Sequence, residues 1–371
     1  MPMPITTDAL IIGAGPVGLF QVFQLGLQGV SAHVVDTLPH AGGQCITLYA
    51  DKPIYDIPGI PLCTGRELTE RLLRQIEPFK PQFHWNQLVS TIERQRDGRF
   101  LIGTVHASEP QSWFLAKTLF IAAGVGAFQP RQIKLDGAAS LKGSQIHYRI
   151  DSYKAAQALG NSHEATKDQH TVILGDGEVA LQAALSLSKV TNEKSDSVEC
   201  VSQISVIHRR EVFSAETDTV LQFREQVNAG NLHFVPGQIV ALDVSNHRMQ
   251  ALQVLQPDGQ SARLPCDQLL VLQGLSPKLG PVAEWGLALE RKQLAVDTET
   301  FATSAPGIFA VGDINTYPGK KKLILCGFHE CVLAAFGAMN IIAPEEKVLL
   351  QYTTTSSKLH QRLGVVPLPD L

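Results

Sequence analysis

The segment from Ala9 to Asp36 constrains this chain more than any other. Ala9-Leu10-Ile11-Ile12 is an apolar run suited to a buried strand, and Gly13-Ala14-Gly15-Pro16-Val17-Gly18 is a glycine turn. An apolar-rich helix then runs through Leu27, and Ala32-His33-Val34-Val35 forms a second strand ending on the acid Asp36. That order predicts a dinucleotide-binding βαβ unit. Gly13 permits the tight turn, Gly15 lets backbone approach a pyrophosphate, and Gly18 lets helix and strand pack closely. The helix N-terminus offers free N–H groups and the positive end of its dipole, while Asp36 is placed to accept from the adenosine ribose.

The chain has 371 residues, 44% hydrophobic and 18% charged, enough to bury the cores of about two domains. A net charge of -4 gives no global reason to expect a nucleic-acid partner. The first eight residues lack a basic leader, and no uninterrupted apolar segment is long enough for a bilayer, so a cytoplasmic protein without membrane attachment is expected. Cys45, Cys63, Cys200, Cys266, Cys326 and Cys331 are widely spread with no Cys-x-x-Cys pair, which points to free thiols and to no metal site.

After Asp36, the glycines and prolines from Gly42-Gly43-Gln44 to Pro58-Gly59 predict an irregular excursion in which Tyr49 is a candidate for stacking on a flat ring. Residues 66–79 predict an amphipathic helix with Leu68, Leu72, Leu73 and Ile76 inward. Residues 87–93, 99–102 and 112–115 alternate as an antiparallel meander turning at Asp97-Gly98, and residues 117–126 return to the parallel sheet.

Residues 169–180 repeat the opening pattern: a strand, the turn Gly175-Asp176-Gly177, then a helix from Ala180, which stands in the third glycine position. The strand that follows, 203–207, ends on His208-Arg209-Arg210 in place of an acid. A basic pair suits a 2′-phosphate, so this second site should prefer NADPH to NADH. Residues 160–169 and 191–203 have loop composition, and residues 268–272 close the second domain. Near the end, Ala305 to Asp313 is a strand finishing in Gly312-Asp313, which sets a carboxylate where a ribityl hydroxyl can donate to it. A helix at 327–342 points its N-terminus at the same place, and the lysine run 320–322 beside it is a candidate docking patch for an acidic carrier.

Gly13-Ala-Gly-Pro-Val-Gly18, Gly42-Gly-Gln44, Ile54-Tyr-Asp-Ile-Pro-Gly59, His208-Arg-Arg210 and Gly307-Ile-Phe-Ala-Val-Gly-Asp313 occur in one order. Together they resemble the two-domain flavoprotein reductases of the thioredoxin-reductase type, and more closely the bacterial ferredoxin:NADP reductases of that type. Leu48-Tyr49 follows the Gly-Gly-Gln, Ile146-His147-Tyr148-Arg149-Ile150-Asp151 stands where thioredoxin reductases carry Cys-x-x-Cys, and the tail Tyr352-Thr-Thr-Thr-Ser-Ser357 is similar to a flavin-covering extension.

The resemblance implies an α/β fold of two Rossmann-like domains in three ββα layers. Residues 1–128 with 297–371 would hold FAD and residues 129–296 NADPH. It implies FAD contacts from Gly13, Gly15, Gly18, Asp36, Gln44, Tyr49, Val89, Phe128, Asp313 and Thr354, with Val89 and Phe128 carried over by position alone. NADPH falls to Gly175, Gly177, Ala180, His208, Arg209 and Arg210. Tyr49 and Tyr352 match the two rings that sandwich the flavin in that group, which makes the tail a gate for nicotinamide. No acid, base or metal is expected to take part. Ferredoxin or flavodoxin as acceptor and a homodimer are implied too. One position departs: relatives continue His-Arg-Arg-x-x-Phe-Arg, and here the last arginine is Ser214, implying weaker NADPH binding or relaxed selectivity over NADH. The competing expectations are a flavin disulfide reductase and an NADPH-sensing flavoprotein without turnover.

Overall fold

A computed structural model describes residues 3–105, 112–150, 152–154, 169–193, 203–346 and 348–365. Contacts divide the chain into one unit of residues 1–127 with 277–371 and a second of residues 128–276. By these contacts residues 277–296 cluster with the first unit. The reason is apolar burial: Val282, Leu287 and Leu294 pack into the same core as Leu10, Phe114 and Ile308 of the first unit.

In the first unit four strands run parallel in the order Gln82–His84, Ala32–Val35, Ile5–Ile12, Trp113–Ile121. The antiparallel strands Phe100–Val105 and Leu88–Arg94 continue this sheet. Trp113–Ile121 is one nine-residue strand where the sequence predicts two elements. On one edge its first half pairs antiparallel with Phe100–Gly103, and its second half pairs parallel with Ile308–Ala310.

Helices Pro16–Gln28, Gly65–Ile76 and Ile324–Ile342 pack with one face of this sheet. The first can lie close because residue 18 is glycine: a Cβ there would sit 1.8 Å from the Gly13 carbonyl oxygen. The second begins with a reciprocal cap, in which Thr64 Oγ1 accepts from Glu67 N–H and Glu67 Oε2 accepts from Thr64 N–H. Leu68, Leu72 and Ile76 are buried as the periodicity predicts, each contributing about 1.5–3 kcal/mol. The third is 19 residues long and, by length and composition, apolar enough to cross a bilayer. Its small residues Gly327, Cys331, Ala334, Ala335 and Ala338 are instead buried with helix Pro16–Gln28, where Gln21 Nε2 donates to the Cys331 carbonyl.

In the second unit five parallel strands run in the order Ile146–His147, Gln268–Val271, His170–Leu174, Gln203–His208, His233–Pro236. The meander Gln238–Ser245, Arg248–Leu255, Ser261–Pro265 shares a core with one face of this sheet, and helices Glu178–Glu193 and Thr217–Asn228 share one with the other. The second unit thus has the expected three layers. The expected loop at 160–169 lies outside the described residues except for Gln169, and that at 191–203 is helix as far as Glu193, with 194–202 outside.

His33 and His84, on adjacent strands of the first unit, face each other at 2.9 Å between Nδ1 and Nε2, with Phe114 set edge-on to both rings. Burial pushes both imidazoles down, His84 to about 4, where the neighbouring His33 adds to the effect. The unfolded chain therefore takes up protons first. Stability is full above about pH 6.5 and declines as the pH falls towards 4, by about 1–2 kcal/mol after allowing for partial exposure. Urea denaturation at pH 7.5 and 4.5 measures the loss, and His84→Leu should make it shallower.

Candidate functional site

The first glycine turn is locked by the strand that follows its helix. Gly13 N–H donates to the Val35 carbonyl at 2.9 Å, Ala14 N–H to Asp36 Oδ2 at 2.6 Å, and Gly42 N–H to the Ala14 carbonyl at 2.8 Å. Asp36 is 9% exposed and also accepts from Leu38 N–H. Burial pushes its carboxyl above the usual range, partly countered by those two main-chain donors. Gly43 faces Gly15 so closely that a Cβ on Gly43 would lie 3.0 Å from the Gly15 Cα. Two glycine backbones thus line one approach to the helix N-terminus. That helix has Gly15 as its N-cap, Pro16 in its first turn and no side-chain cap, which leaves N–H groups for a ligand.

A second helix end converges on the same turn. Ile324–Ile342 also starts without a side-chain cap, and its Gly327 packs against Val17 and the Gly312 Cα. Gly312 is held at φ +80 by a buried ion pair: its N–H donates to Glu330 Oε2 at 2.6 Å and its carbonyl accepts from Lys320 Nζ at 2.9 Å. Glu330 is fully buried and also accepts from Asn315 Nδ2, Tyr317 OH and Lys320 Nζ. The next residue, Asp313, is half-buried, and burial raises its carboxyl against the pull of Lys320 and Lys322. The sequence reading missed Glu330 and took Lys320 for a surface charge. The Lys320 side chain is 6% exposed, so only Lys321 and Lys322 of that run face solvent. A lone acid inside an otherwise apolar helix was the available signal.

Tyr49 ends a short helix, Gln44–Tyr49, where an irregular stretch is expected; Gly43 at φ 51 supplies the left-handed entry. Its ring is half-buried and its hydroxyl accepts from Cys45 Sγ at 3.4 Å; burial, then that thiol, pushes it well up. The Gln44 amide reaches Gly124, where a Cβ would lie 2.7 Å from its Nε2. Val89 is 2% exposed with its side chain in the core, and the strand pairing shifts register just after it, between Val89 and Thr91. Phe128 falls at the start of the second unit and its side chain lies outside those described. Tyr352 and Thr354 are exposed, and neither is in described contact with Tyr49 or the glycine turn. The helix after them, Ser357–Leu363, is tied to the far end of Pro16–Gln28, with Arg362 donating to the Leu27 carbonyl.

In the second unit the turn Gly175-Asp176-Gly177 sits between strand His170–Leu174 and helix Glu178–Glu193, as predicted. Gly175 N–H donates to the Ile207 carbonyl, and a Cβ on Gly175 would meet the Ala180 methyl at 2.9 Å. Ala180 is fully buried. Ser214 closes over this turn, its N–H donating to the Asp176 carbonyl at 2.8 Å and its Oγ to Asp176 Oδ2 at 3.1 Å. His208 is half-buried, while Arg209 and Arg210 are exposed and, among the described residues, form no ion pair.

Removing Lys320 alone strands the Glu330 charge in the core. Lys320→Met should cost about 3–5 kcal/mol in urea denaturation, and adding Glu330→Gln should restore part of that loss. Additive losses in the double variant would argue against a coupled pair.

Residues 7–328 match the family described as pyridine nucleotide-disulphide oxidoreductase. A protein named ferredoxin–NADP reductase from Albidiferax ferrireducens is 55% identical over 362 residues, covering 98% of this chain and 97% of its own. One of the same name from Polaromonas sp. is 53% identical, covering 98% and 93%. Among solved structures, the bacillithiol disulfide reductase Bdr from Staphylococcus aureus aligns over 92% of this chain and 100% of its own, with a TM-score of 0.57 at 16% identity. The thioredoxin reductase of Lactococcus lactis aligns over 91% and 99% with a TM-score of 0.52 at 19% identity. These two likenesses concern the fold alone. With most of its length matched and relatives above half identity along nearly all of it, the chain belongs to the pyridine nucleotide-disulphide oxidoreductase family.

Proposed function

We propose that this protein moves electrons between NADPH and ferredoxin or flavodoxin, with FAD held in the first unit and NADPH in the second. The observation that carries this is the convergence of two uncapped helix N-termini on one glycine turn, with Asp36 and Asp313 beside it. That donor set fits FAD: free N–H groups for a pyrophosphate, a buried acid for the adenosine ribose and a half-buried acid for the ribityl chain. The relatives named ferredoxin–NADP reductase support the choice of reaction.

When bound, FAD supplies the conversion between two-electron and one-electron transfer. The protein's contribution is placement. Tyr49 is the proposed stacking partner for the flavin ring, and Tyr352 of the tail the proposed second ring. Gln44 and the Val89 backbone belong to the same proposed site, as do Thr354 and Phe128. In the second unit Arg209 and Arg210, free of described ion pairs, would take the 2′-phosphate. A homodimer is part of the same reading, and exposed Leu349 and Leu350 offer apolar surface for it. A cytoplasmic location is proposed with it.

A disulfide reductase is the competing reading. Cys45, Cys63, Cys266, Cys326 and Cys331 are all free thiols, and Cys200 lies outside the described residues. Steady-state assays separate the two: NADPH-dependent reduction of ferredoxin or flavodoxin is expected, with no reduction of a dithiol-linked substrate. Anaerobic NADPH should bleach the flavin band; a band that persists would favour a sensor without turnover.

Lys321 and Lys322, exposed beside the Gly312-Asp313 turn, are the proposed contact for an acidic carrier. Lys321→Glu with Lys322→Glu should slow carrier reduction about tenfold at low salt and flatten its salt dependence. Reduction of a small dye serves as the control, and an equal loss in both assays would count against docking.

A further inference from the structure

Two acids occupy the second glycine turn, and only one is available to a ligand. Glu178 is taken up by three donors: Glu216 N–H at 2.8 Å, Thr219 Oγ1 at 2.7 Å and Gln182 Nε2 at 2.6 Å. Asp176 is different. Its side chain is 34% exposed, its Oδ2 accepts from Ser214 Oγ at 3.1 Å, and its Oδ1 accepts nothing among the described residues.

The placement of Asp176 ties it to the basic end of the neighbouring strand. Its Oδ2 is 3.8 Å from His208 Nε2, and the other nitrogen of that ring, Nδ1, donates to the Arg210 carbonyl at 2.9 Å. One imidazole therefore separates the Asp176 carboxylate from the backbone that carries Arg209 and Arg210. Ser214 holds the arrangement shut, through its Oγ and through the main-chain pairing of Ser214 with Asp176 and Gly177.

In a dinucleotide fold the adenosine ribose lies between the glycine turn and the end of the second strand, where an acid accepts from a free 2′-hydroxyl and cations hold a 2′-phosphate. Here the strand end supplies the cations and the turn supplies the acid. A 2′-phosphate gains from Arg209 and Arg210 but meets the like charge of Asp176. A free 2′-hydroxyl gains an acceptor with an unused oxygen. We infer that Asp176 sets the pyridine-nucleotide preference of this protein, narrowing the advantage of NADPH and admitting NADH. This rests on the assignment of the NADPH site to the second unit.

The test is equilibrium binding to the flavin-loaded protein, read by calorimetry with 2′,5′-ADP and 5′-AMP as probes. Asp176→Asn keeps an acceptor for Ser214 and removes the charge. It should bind 2′,5′-ADP about fivefold more tightly or better, with 5′-AMP unchanged or weaker, and the gain should shrink as salt is added. Asp176→Ser is the second uncharged variant should the first fail to fold, and the same outcome is expected of it. An unchanged ratio of the two affinities in a folded variant overturns the inference. Failure of the unmodified protein to bind either probe overturns instead the assignment of the nucleotide site to this unit.

Discussion

The geometry of the first unit depends on one buried carboxylate. Glu330 stands in the middle of an apolar helix with no solvent access, and an isolated charge there would be expelled by its desolvation cost. It stays because four donors converge on it, one of them the Lys320 ammonium, which itself donates to the Gly312 carbonyl. The pair thereby grips both the N–H and the carbonyl of one glycine. That glycine follows the returning strand Ile308–Ala310 and sits against Val17 of the first glycine turn, so a core interaction fixes the position of the half-buried acid after it, Asp313. The helix that brings Glu330 also brings its own N-terminal turn against Val17, so a single packing event aligns two helix ends.

The second unit uses a lighter version of the same device. Its glycine turn is pinned by Ser214 and Asp176 at a partly exposed site, with hydrogen bonds between neutral and charged groups in place of a buried ion pair. Such contacts contribute about 1–2 kcal/mol each. The two turns share a fingerprint but are held by different interactions.

Both βαβ units were legible in the sequence because their signals are local: an apolar run, glycines at fixed spacing, and a charged residue closing the next strand. The amphipathic helix expected over 66–79 was legible for the same reason and is found as Gly65–Ile76 with a short turn to Phe79, but its Thr64 and Glu67 cap was not read from the sequence. Partnerships made across the fold were not. Lys320 has two lysine neighbours in sequence and reads as solvated, and only the placement of Glu330 ten residues on shows otherwise. The continuity of Trp113–Ile121 was hidden because its halves pair with strands of opposite direction, one adjacent in sequence and one almost two hundred residues away. Residues 277–296 follow the second unit in sequence and are expected with it, yet Val282, Leu287 and Leu294 belong to the first core. The fate of Ser214 was legible only as a missing cation; what it does instead needed the position of Asp176.

The shared edge of Trp113–Ile121 has a consequence for how this protein is made. One half of that edge is filled by Phe100–Val105, already synthesised, while the other waits for Ile308–Ala310. The second unit, by contrast, is a continuous stretch, 128–276, with all its strands emerging in sequence. During translation the inserted unit is therefore complete on the ribosome while the unit that encloses it still has an unpaired strand edge and lacks the helix carrying Glu330. The unit that begins first finishes last, and the proposed cofactor cradle is among the final parts of the molecule to be assembled.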